Sequence, residues 1–346
     1  MKKKIVGGVV LVAMVVLMLW LIAGLNTNPE PDRVLVTTYP IYQLARNVTH
    51  GAEGLQVQLM LPPGLGCPHD YVLTPQDMRR LEAAEVLIIN GLGMEIFLDR
   101  ALARVGQHLS VIDTSAGIDP LPGVAHDRDH DHQDHHGHHH HHGQDHHHGQ
   151  DHDHDHDCSH GRDEGAWNPH LFASPRLAAE IVANIADGLA RLNPEATAIY
   201  EQNAAAYGER LRQLADEFHE LGKLIDNGRI VVQHDVFDYL AAEMGLEVVA
   251  LLHVHPGQEP AAAEVLRIIN EIRQKDVRAI LIEPQYSDRT ARMISRETGV
   301  PVVLLDPVAN GPVDAPLDHY EQVMRRNLES LRKVLLEPNS INQPGT

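Results

Sequence analysis

The stretch RIVVQHDVFDYLAAEMGLEVVALL, residues 229–252, decides the fold, because two short apolar runs in it enclose a segment of helical period. The first run predicts a β-strand over Arg229 to Gln233, and the second predicts one over Leu246 to Leu252. Continuous Val, Ile and Leu runs of this length are typical of parallel strands that are buried on both faces. The stretch therefore predicts a strand-helix-strand unit of an α/β sheet.

Six further runs of the same kind occur along the chain. They predict strands over Val34 to Thr38, Leu55 to Leu61, Val86 to Asn90, Leu109 to Asp113, Ala279 to Glu283 and Pro301 to Asp306. Because the strands fall into an early and a late group, the sequence predicts an α/β fold with two four-stranded parallel-sheet lobes. We place the N-terminal lobe at residues 33–171 and the C-terminal lobe at residues 228–337.

Two linking helices are predicted between the lobes, over residues 174–227. Ser174-Pro175 opens the first and Asn193-Pro194 the second, since a capping residue followed by proline favours a helix start. Spacings of four and three residues alternate along an apolar stripe of the second helix: Tyr200, Ala204, Tyr207, Leu211, Leu214, Phe218, Leu221 and Ile225. The stripe fits a coiled-coil seam or a core-facing side, and we favour the core. With about 32 residues and a length of roughly 48 Å, this helix is expected to join the lobes rigidly.

The N-terminus has the pattern of an export signal. Three lysines at positions 2–4 precede 21 uncharged residues from Ile5 to Leu25. This run is long enough to span a bilayer, so residues 1–26 are predicted to be either a cleaved signal peptide or a retained membrane anchor. Positive charge on the cytoplasmic side places the rest of the chain in the periplasm or another extracytoplasmic space. Membrane contact is expected through this segment alone.

Composition points to metal ions rather than nucleic acid. The net charge is -20, which argues against a basic nucleic-acid-binding surface, and 17 of the 26 histidines lie between His126 and His160. The enclosing segment, residues 126–164, consists mainly of His, Asp, Gly and Gln and cannot build a core. We interpret it as a long surface loop within the N-terminal lobe. Its repeats favour a weak, poorly selective metal collector over a solvated spacer.

A tighter metal site is expected from isolated residues at strand ends. His69 follows the second predicted strand, His170 precedes the Ser174 helix start, and His234 directly follows the strand ending at Gln233. Asp306 ends the last strand, and ligands of open α/β sheets gather at the carboxyl ends of the strands. Any one of these residues alone is more often structural. Three imidazoles and one carboxylate together form a four-coordinate set that suits Zn²⁺.

The chain resembles the metal-specific solute-binding proteins of bacterial ABC importers, a family of zinc and manganese receptors, from residue 33 to residue 336. The matching motifs are HDYVLTPQD at 69–77, NPH at 168–170, HDVFDYL at 234–240, LLDP at 304–307, and Tyr320, Met324 and Asn327. The resemblance implies two lobes joined by a rigid helix, with His69, His170, His234 and Asp306 as metal ligands in the interlobe cleft. It also implies that the metal is cargo for an ABC transporter permease.

The resemblance also bears on the choice of metal. Manganese-type members tend to have a carboxylate at the third ligand position, so His234 favours Zn²⁺ as cargo over Mn²⁺. The chain departs from the family pattern at Asn168, where an aspartate is usual, and Pro68 offers no ligand beside His69. The fourth position is therefore open between Asp306 and a nearby carboxylate or water. Asp235 and Glu283 are interpreted as outer acceptors that orient imidazoles.

Several expectations concern the site's surroundings. Four protein ligands would close the coordination shell, so the chain is predicted not to be an enzyme. Because imidazoles bind metal when neutral, metal affinity is expected to fall below about pH 6.5.

His253 and His255 are interpreted as part of the cleft rim rather than a minor site. A disulfide between Cys67 and Cys158 is a hypothesis, and Cys158 can instead be a soft ligand within the loop.

Three other functions fit the same sequence features. The first is a manganese or iron receptor with the same fold. The second is a periplasmic metal buffer that has no permease partner. The third is a zinc hydrolase in which Asp306 or Glu283 acts as the base.

Overall fold

The computed structural model of the protein describes residues 32–65, 68, 71–106, 108–123, 167–253 and 259–336. The predicted export segment, the histidine-rich loop, both cysteines, His69 and His255 lie outside the described residues. Among the helices that are described, none combines the length and the apolar character needed to cross a membrane.

The N-terminal lobe contains a four-stranded, wholly parallel sheet. Its strands are β1 (Asp32–Val36), β2 (Leu55–Leu59), β3 (Val86–Ile89) and β4 (Ser110–Asp113), in the order β2-β1-β3-β4. Its helices are α1 (Tyr39–Val48), α2 (Pro75–Ala83) and α3 (Asp99–Val105). The four strands predicted here are confirmed. Strands β2 and β3 end before their predicted last residues, β4 begins one residue later than predicted, and β1 keeps the predicted length but begins and ends two residues earlier.

Two helices link the lobes, as predicted. They are α4 (Pro175–Leu192) and α5 (Thr197–Lys223), and the Ser174 side chain caps α4 by accepting a hydrogen bond from the Leu177 amide. The prolyl start predicted for the second helix forms a 3-10 turn, Pro194–Ala196, before α5 begins. Helix α5 therefore has 27 residues, fewer than predicted. Its length is about 40 Å.

The apolar stripe of α5 packs into the core, which confirms our preference over a coiled-coil seam. Its buried members are Tyr200, Tyr207, Leu211, Leu214, Phe218 and Leu221, whereas Ala204 and Ile225 are half-buried. Helix α5 therefore contributes one whole face to the interior of the protein.

The C-terminal lobe repeats the sheet topology. Its strands are β5 (Arg229–Val232), β6 (Glu247–Leu251), β7 (Ala279–Ile282) and β8 (Val302–Leu304), all parallel and in the order β6-β5-β7-β8. Its helices are α6 (Asp238–Met244), α7 (Ala262–Lys275), α8 (Arg289–Thr298) and α9 (His319–Leu336). All four strands predicted for this lobe are confirmed.

A single apolar core runs through both lobes. It includes Val36 of β1, Phe218 of α5, Val232 of β5 and Leu328 of α9, all buried. A separate apolar cluster lies in each lobe, around Leu35 in the first and around Val231, Ile268 and Ile280 in the second. Because the shared core must be opened to move the lobes far apart, the two sheets are held in a fixed relation.

Polar contacts between the lobes add to the shared core. The Tyr320 hydroxyl donates to the Phe172 carbonyl at 2.7 Å. The Asn47 side chain donates to the Leu317 carbonyl at 2.8 Å. Each contact joins the C-terminal lobe to a segment that precedes α5, so the lobes are bonded directly as well as through the linking helices.

Candidate metal centre

His234 lies just beyond the carboxyl end of β5, where Gln233 determines the local backbone. The Gln233 side-chain oxygen accepts from the Glu283 amide at 2.9 Å, and its side-chain nitrogen donates to the Ser287 carbonyl at 2.8 Å. These bonds tie the end of β5 to the loop after β7. They present His234, only 4% exposed, at the interlobe cleft.

His170 lies on a segment that enters the N-terminal lobe through an antiparallel bridge between Pro122 and Trp167. The Asn168 amide donates to the Leu121 carbonyl at 2.9 Å, which continues this pairing. A 3-10 turn, Leu171–Ala173, then leads into α4. The turn and the bridge fix the backbone on both sides of His170, which is 1% exposed.

The structure brings these two predicted ligands together from opposite lobes. The rings of His170 and His234 meet edge to face, with centroids 4.8 Å apart. The Asp235 carboxylate lies against both: its Oδ1 is 3.0 Å from His234 Nε2 and 3.5 Å from His170 Nδ1. One ligand atom from each of the three residues lies within 4.8 Å of the other two, a spacing suited to holding one metal ion.

Two carboxylates control the charge of His234. Its Nε2 faces Asp235, and its Nδ1 lies 3.5 Å from Oε1 of Glu283, a side chain that is 2% exposed. Burial alone would lower the pKa of His234, but the adjacent carboxylates of Asp235 and Glu283 raise it to about 10. The ring is therefore protonated at neutral pH when no metal is present.

Asp306 was predicted to end the last strand but lies two residues beyond the end of β8, and its carboxylate accepts a local hydrogen bond. Its Oδ1 accepts a hydrogen bond from the Val308 amide at 2.8 Å, and Asn327 bonds both its backbone amide and its carbonyl. Burial raises the pKa of Asp306, although the bond from Val308 opposes this. Among the described residues, the group of converging ligand atoms does not include Asp306, so its role as a ligand stays a prediction.

The remaining predicted histidine ligand, His69, lies outside the described residues, so the structure places two of the four predicted ligands together. Asp235, which the sequence indicated only as an outer acceptor, is the carboxylate that the structure adds to them. Its position next to His234 in the sequence was the available signal. The hydrophobic period of the sequence does not show whether the side chain of Asp235 points toward the same metal centre as that of His234.

A second layer of polar residues joins the two histidine-bearing segments. Asn168 contacts His170, and its side chain also donates to the Asp235 carbonyl at 2.8 Å. Asp238 accepts from the same amide at 3.3 Å, and burial together with the charge of Asp235 raises the pKa of Asp238 to about 7. The sequence motifs contained Asn168 and Asp238, but nothing in their spacing indicated these contacts.

His253 differs in position from the prediction of a cleft rim. Its backbone amide donates to the Gln233 carbonyl at 2.9 Å, and its Nε2 is 3.4 Å from the side-chain nitrogen of Gln233. The residue is buried, because the end of β6 packs beside the end of β5. It therefore belongs to the interior support of the centre and not to an open rim.

The geometry identifies a buried, electronegative cluster of imidazoles and carboxylates between two lobes, and comparison with known proteins places the chain in a family. The sequence profile of ZnuA, described as "Zinc-uptake complex component A periplasmic", matches residues 34–334. The chain belongs to the ZnuA family. This family comprises zinc-type solute-binding components, as the sequence motifs predicted.

Individual relatives agree with the ZnuA assignment. The zinc-binding protein AdcA of Streptococcus pyogenes is 26% identical over 307 residues, covering 87% of this chain and 55% of AdcA. The chain thus spans about half the length of that relative. The high-affinity zinc uptake system protein ZnuA of Brucella abortus is 32% identical over 320 residues, covering 90% of this chain and 94% of the relative.

A solved structure supports the fold. FpvC from Pseudomonas aeruginosa, a solute-binding protein determined with Ni²⁺, superimposes with a TM-score of 0.68 at 24% identity. The match covers 88% of this chain and 97% of FpvC. The two-lobe α/β architecture of this chain is therefore shared with FpvC.

Proposed function

We propose that this protein is an extracytoplasmic receptor that captures Zn²⁺ and delivers it to the permease of an ABC transporter. The observation that carries the proposal is the convergence of His170 and His234 from opposite lobes on Asp235. Membership of the ZnuA family supports zinc as the cargo, and the zinc-uptake names of the relatives agree with it.

The proposed ligands are His69, His170, His234 and Asp306. The first three supply neutral imidazole nitrogens, which suit Zn²⁺. Asp235 is the alternative carboxylate ligand, since its Oδ1 already lies within 3.0 Å of His234 Nε2. Glu283, on the other side of the His234 ring, is proposed to hold that ring in place through Nδ1.

A receptor function fits the site better than catalysis does. A catalytic zinc site keeps one coordination position open for water, whereas the proposed ligand set fills four. Glu283, one candidate base of a hydrolase, is buried against His234 and accepts a hydrogen bond from Gln285. These contacts favour a supporting role for Glu283.

Other cargoes of the same fold remain candidates. The FpvC structure with Ni²⁺ favours testing a broader metal range, and Mn²⁺ or iron are the alternatives that the sequence raised. Competition between Zn²⁺ and Mn²⁺ at equal concentration tests this directly. We expect Zn²⁺ to occupy the site, since two imidazoles already converge there. Preferential Mn²⁺ binding would contradict the zinc assignment.

The proposal is tested by metal analysis and zinc competition titrations on untagged protein. We expect one tightly bound Zn²⁺, with affinity reduced at least a hundredfold in His69→Ala, His170→Ala and His234→Ala. The exposed His219, which bonds the Glu243 carbonyl, provides the matched control His219→Ala. Unchanged affinity in both His170→Ala and His234→Ala would overturn the proposed site.

Delivery to a permease requires a separate test. Zinc-loaded protein is expected to associate with the transmembrane subunits of its transporter in detergent, and to stimulate their ATPase partner. Tight zinc binding without any such association would instead favour the periplasmic buffer. Proteomic detection of an N-terminus near residue 27 would distinguish a cleaved signal peptide from a retained anchor.

A further inference from the structure

Asn168 lies fully buried between the two segments that carry His170 and His234. Its Oδ1 accepts a hydrogen bond from the His170 backbone amide at 2.9 Å and lies 2.9 Å from His170 Nδ1. Its Nδ2 donates to the Asp235 carbonyl at 2.8 Å and to Asp238 Oδ2 at 3.3 Å. Both ends of this one amide are therefore used, one on each segment.

The backbone partners of Asn168 determine the positions of its side-chain oxygen and nitrogen. A backbone N–H only donates, so the group that faces the His170 amide must be the oxygen of Asn168. A backbone carbonyl only accepts, so the group that faces the Asp235 carbonyl must be the nitrogen. An amide flip would break both bonds, and the orientation follows from the backbone alone.

This orientation has a consequence for the His170 ring. Because Asn168 Oδ1 has no hydrogen, the contact at 2.9 Å is a hydrogen bond only when His170 Nδ1 carries the proton. Asp235 Oδ1, a further acceptor 3.5 Å from that nitrogen, favours the same state. The neutral ring then carries its lone pair on Nε2, and a lone pair is what a metal ion requires of an imidazole ligand.

We propose that Asn168 is a positioning residue that selects the Nδ1–H tautomer of His170 and ties its segment to that of His234. The inference rests on the proposed function, since it assigns Nε2 of His170 as the metal-binding atom. An amide serves both tasks, whereas an aspartate could accept from His170 but has no hydrogen for the Asp235 carbonyl. The amide also avoids a third negative charge beside Asp235 and Asp238.

Two substitutions separate these tasks. Asn168→Asp keeps the acceptor for His170 and removes the donor, and Asn168→Leu removes both with little change in volume. The matched control is Asn203→Leu, because Asn203 also joins two elements, through the Val48 and His50 carbonyls, away from the site. Circular dichroism and thermal melting report whether each variant is folded.

The decisive measurement is the tautomer of His170 in metal-free, nitrogen-15-labelled protein at pH 8, from two-bond proton–nitrogen NMR correlations. The signal is assigned by its loss in His170→Ala. We expect the Nδ1–H form in the unaltered protein, in Asn168→Asp and in the Asn203→Leu control. In Asn168→Leu we expect a mixture of tautomers and zinc affinity reduced by ten- to a hundredfold.

Retention of both the tautomer and the zinc affinity in Asn168→Leu would overturn the inference. If that variant does not fold, Asn168→Asp decides the matter, since loss of the Nδ1–H signal there contradicts the acceptor role. The tautomer is measured without zinc, so it is independent of cargo. An unaltered protein with the Nδ1–H form but no tight zinc binding would refute the proposed function and leave the tautomer assignment standing.

Discussion

The hydroxyl of Tyr239 donates a hydrogen bond to the backbone carbonyl of Asn168 across 2.6 Å. The same hydroxyl accepts a hydrogen bond from the Leu121 amide at 3.0 Å. Tyr239 belongs to α6 of the C-terminal lobe, whereas both partners lie in the N-terminal lobe, two residues before His170 and beside the Pro122–Trp167 bridge. One phenol thus links the segments that bear the two histidines.

Replacing Tyr239 by Phe should lower both stability and zinc affinity. The substitution leaves the Asn168 carbonyl and the Leu121 amide without this partner, which costs about 1–3 kcal/mol in unfolding free energy. Zinc affinity should fall several-fold, because the two histidine-bearing segments lose a direct link. Denaturant unfolding and zinc competition titrations measure the two effects.

The control for this substitution is Tyr42→Phe. Tyr42 also reaches across the lobes, but its hydroxyl lies 3.4 Å from the Val313 carbonyl, a weak contact. We expect a smaller loss of stability and no change in zinc affinity. Equal effects of the two substitutions on zinc binding would show that Tyr239 has no special relation to the site.

Zinc binding should release a proton from His234 at neutral and mildly alkaline pH. The pKa of His234 is raised to about 10 in the metal-free protein, and a metal can bind the ring only after its proton leaves. Release of about one proton at pH 7.5 is therefore expected from this residue. Calorimetry in buffers of different ionisation enthalpy measures the number. Zinc binding with no proton release at pH 7.5 would refute the protonated ring.

The raised pKa of His234 changes the pH range over which zinc affinity is expected to vary. An unperturbed histidine would limit zinc affinity only below about pH 6.5. With His234 protonated up to about pH 10, apparent affinity should keep rising with pH above neutrality. In Glu283→Gln, which removes one of the negative charges that raise this pKa, the rise should end at a lower pH. Identical pH profiles of zinc affinity in the unaltered protein and in Glu283→Gln would argue that Glu283 does not raise the pKa of His234.

The stability of the metal-free protein should depend on pH with a definite sign. Because the pKa of His234 is higher in the folded than in the unfolded chain, its stabilising contribution is complete below about pH 6.5. That contribution is lost as the pH rises toward 10. The unfolding free energy of the metal-free protein should be larger at pH 6.5 than at pH 9. Glu283→Gln should show a smaller decrease.

The identity of the carboxylate ligand is testable by comparing Asp235→Asn with Asp306→Asn. If Asp306 closes the coordination shell, its substitution should weaken zinc binding by ten- to a hundredfold. Asp235→Asn should then have a smaller effect, through the orientation of the two imidazoles. X-ray absorption of the zinc-loaded variants counts nitrogen and oxygen ligands. The reverse order of effects would assign the ligand role to Asp235.

Much of the fold was predictable because strand-forming runs are local features of the sequence. All eight strands occur where apolar residues predicted them, and the cap at Ser174 was readable from a single dipeptide. The ends were less predictable. Gln233 lies beyond the end of β5, yet its backbone amide still donates to the Leu281 carbonyl, and its side chain bonds the Glu283 amide and the Ser287 carbonyl of a distant loop.

The site was predictable only in part. His170 and His234 could be placed at element ends from the sequence, and the order of the motifs connected them to one centre. Several contacts that position the two rings join residues far apart in the chain, such as His234 with Glu283 and Asn168 with the Asp235 carbonyl. Local propensity and hydrophobic period carry no information about such contacts, so the roles of Asn168, Asp238 and Tyr239 required coordinates.

Removal of the histidine-rich segment should separate weak metal binding from tight binding. We predict that deleting residues 126–164 leaves one tight zinc site and removes several weakly bound ions. The physical reason is that Pro122 and Trp167, which flank the deletion, are already paired in the structure. Equilibrium dialysis of both proteins counts the ions. Loss of the tight site in the deletion variant would show that it draws on this segment.

The Pro122–Trp167 pairing also bears on how such a protein can diverge. Pro122 and Trp167 are paired, and doubling the number of residues in a loop between two such points costs only about 0.6 kcal/mol of closure entropy. Insertions and deletions there are consequently inexpensive for the fold. On the hypothesis that residues 126–164 collect metal ions weakly, their number and composition can vary without a change in the cleft.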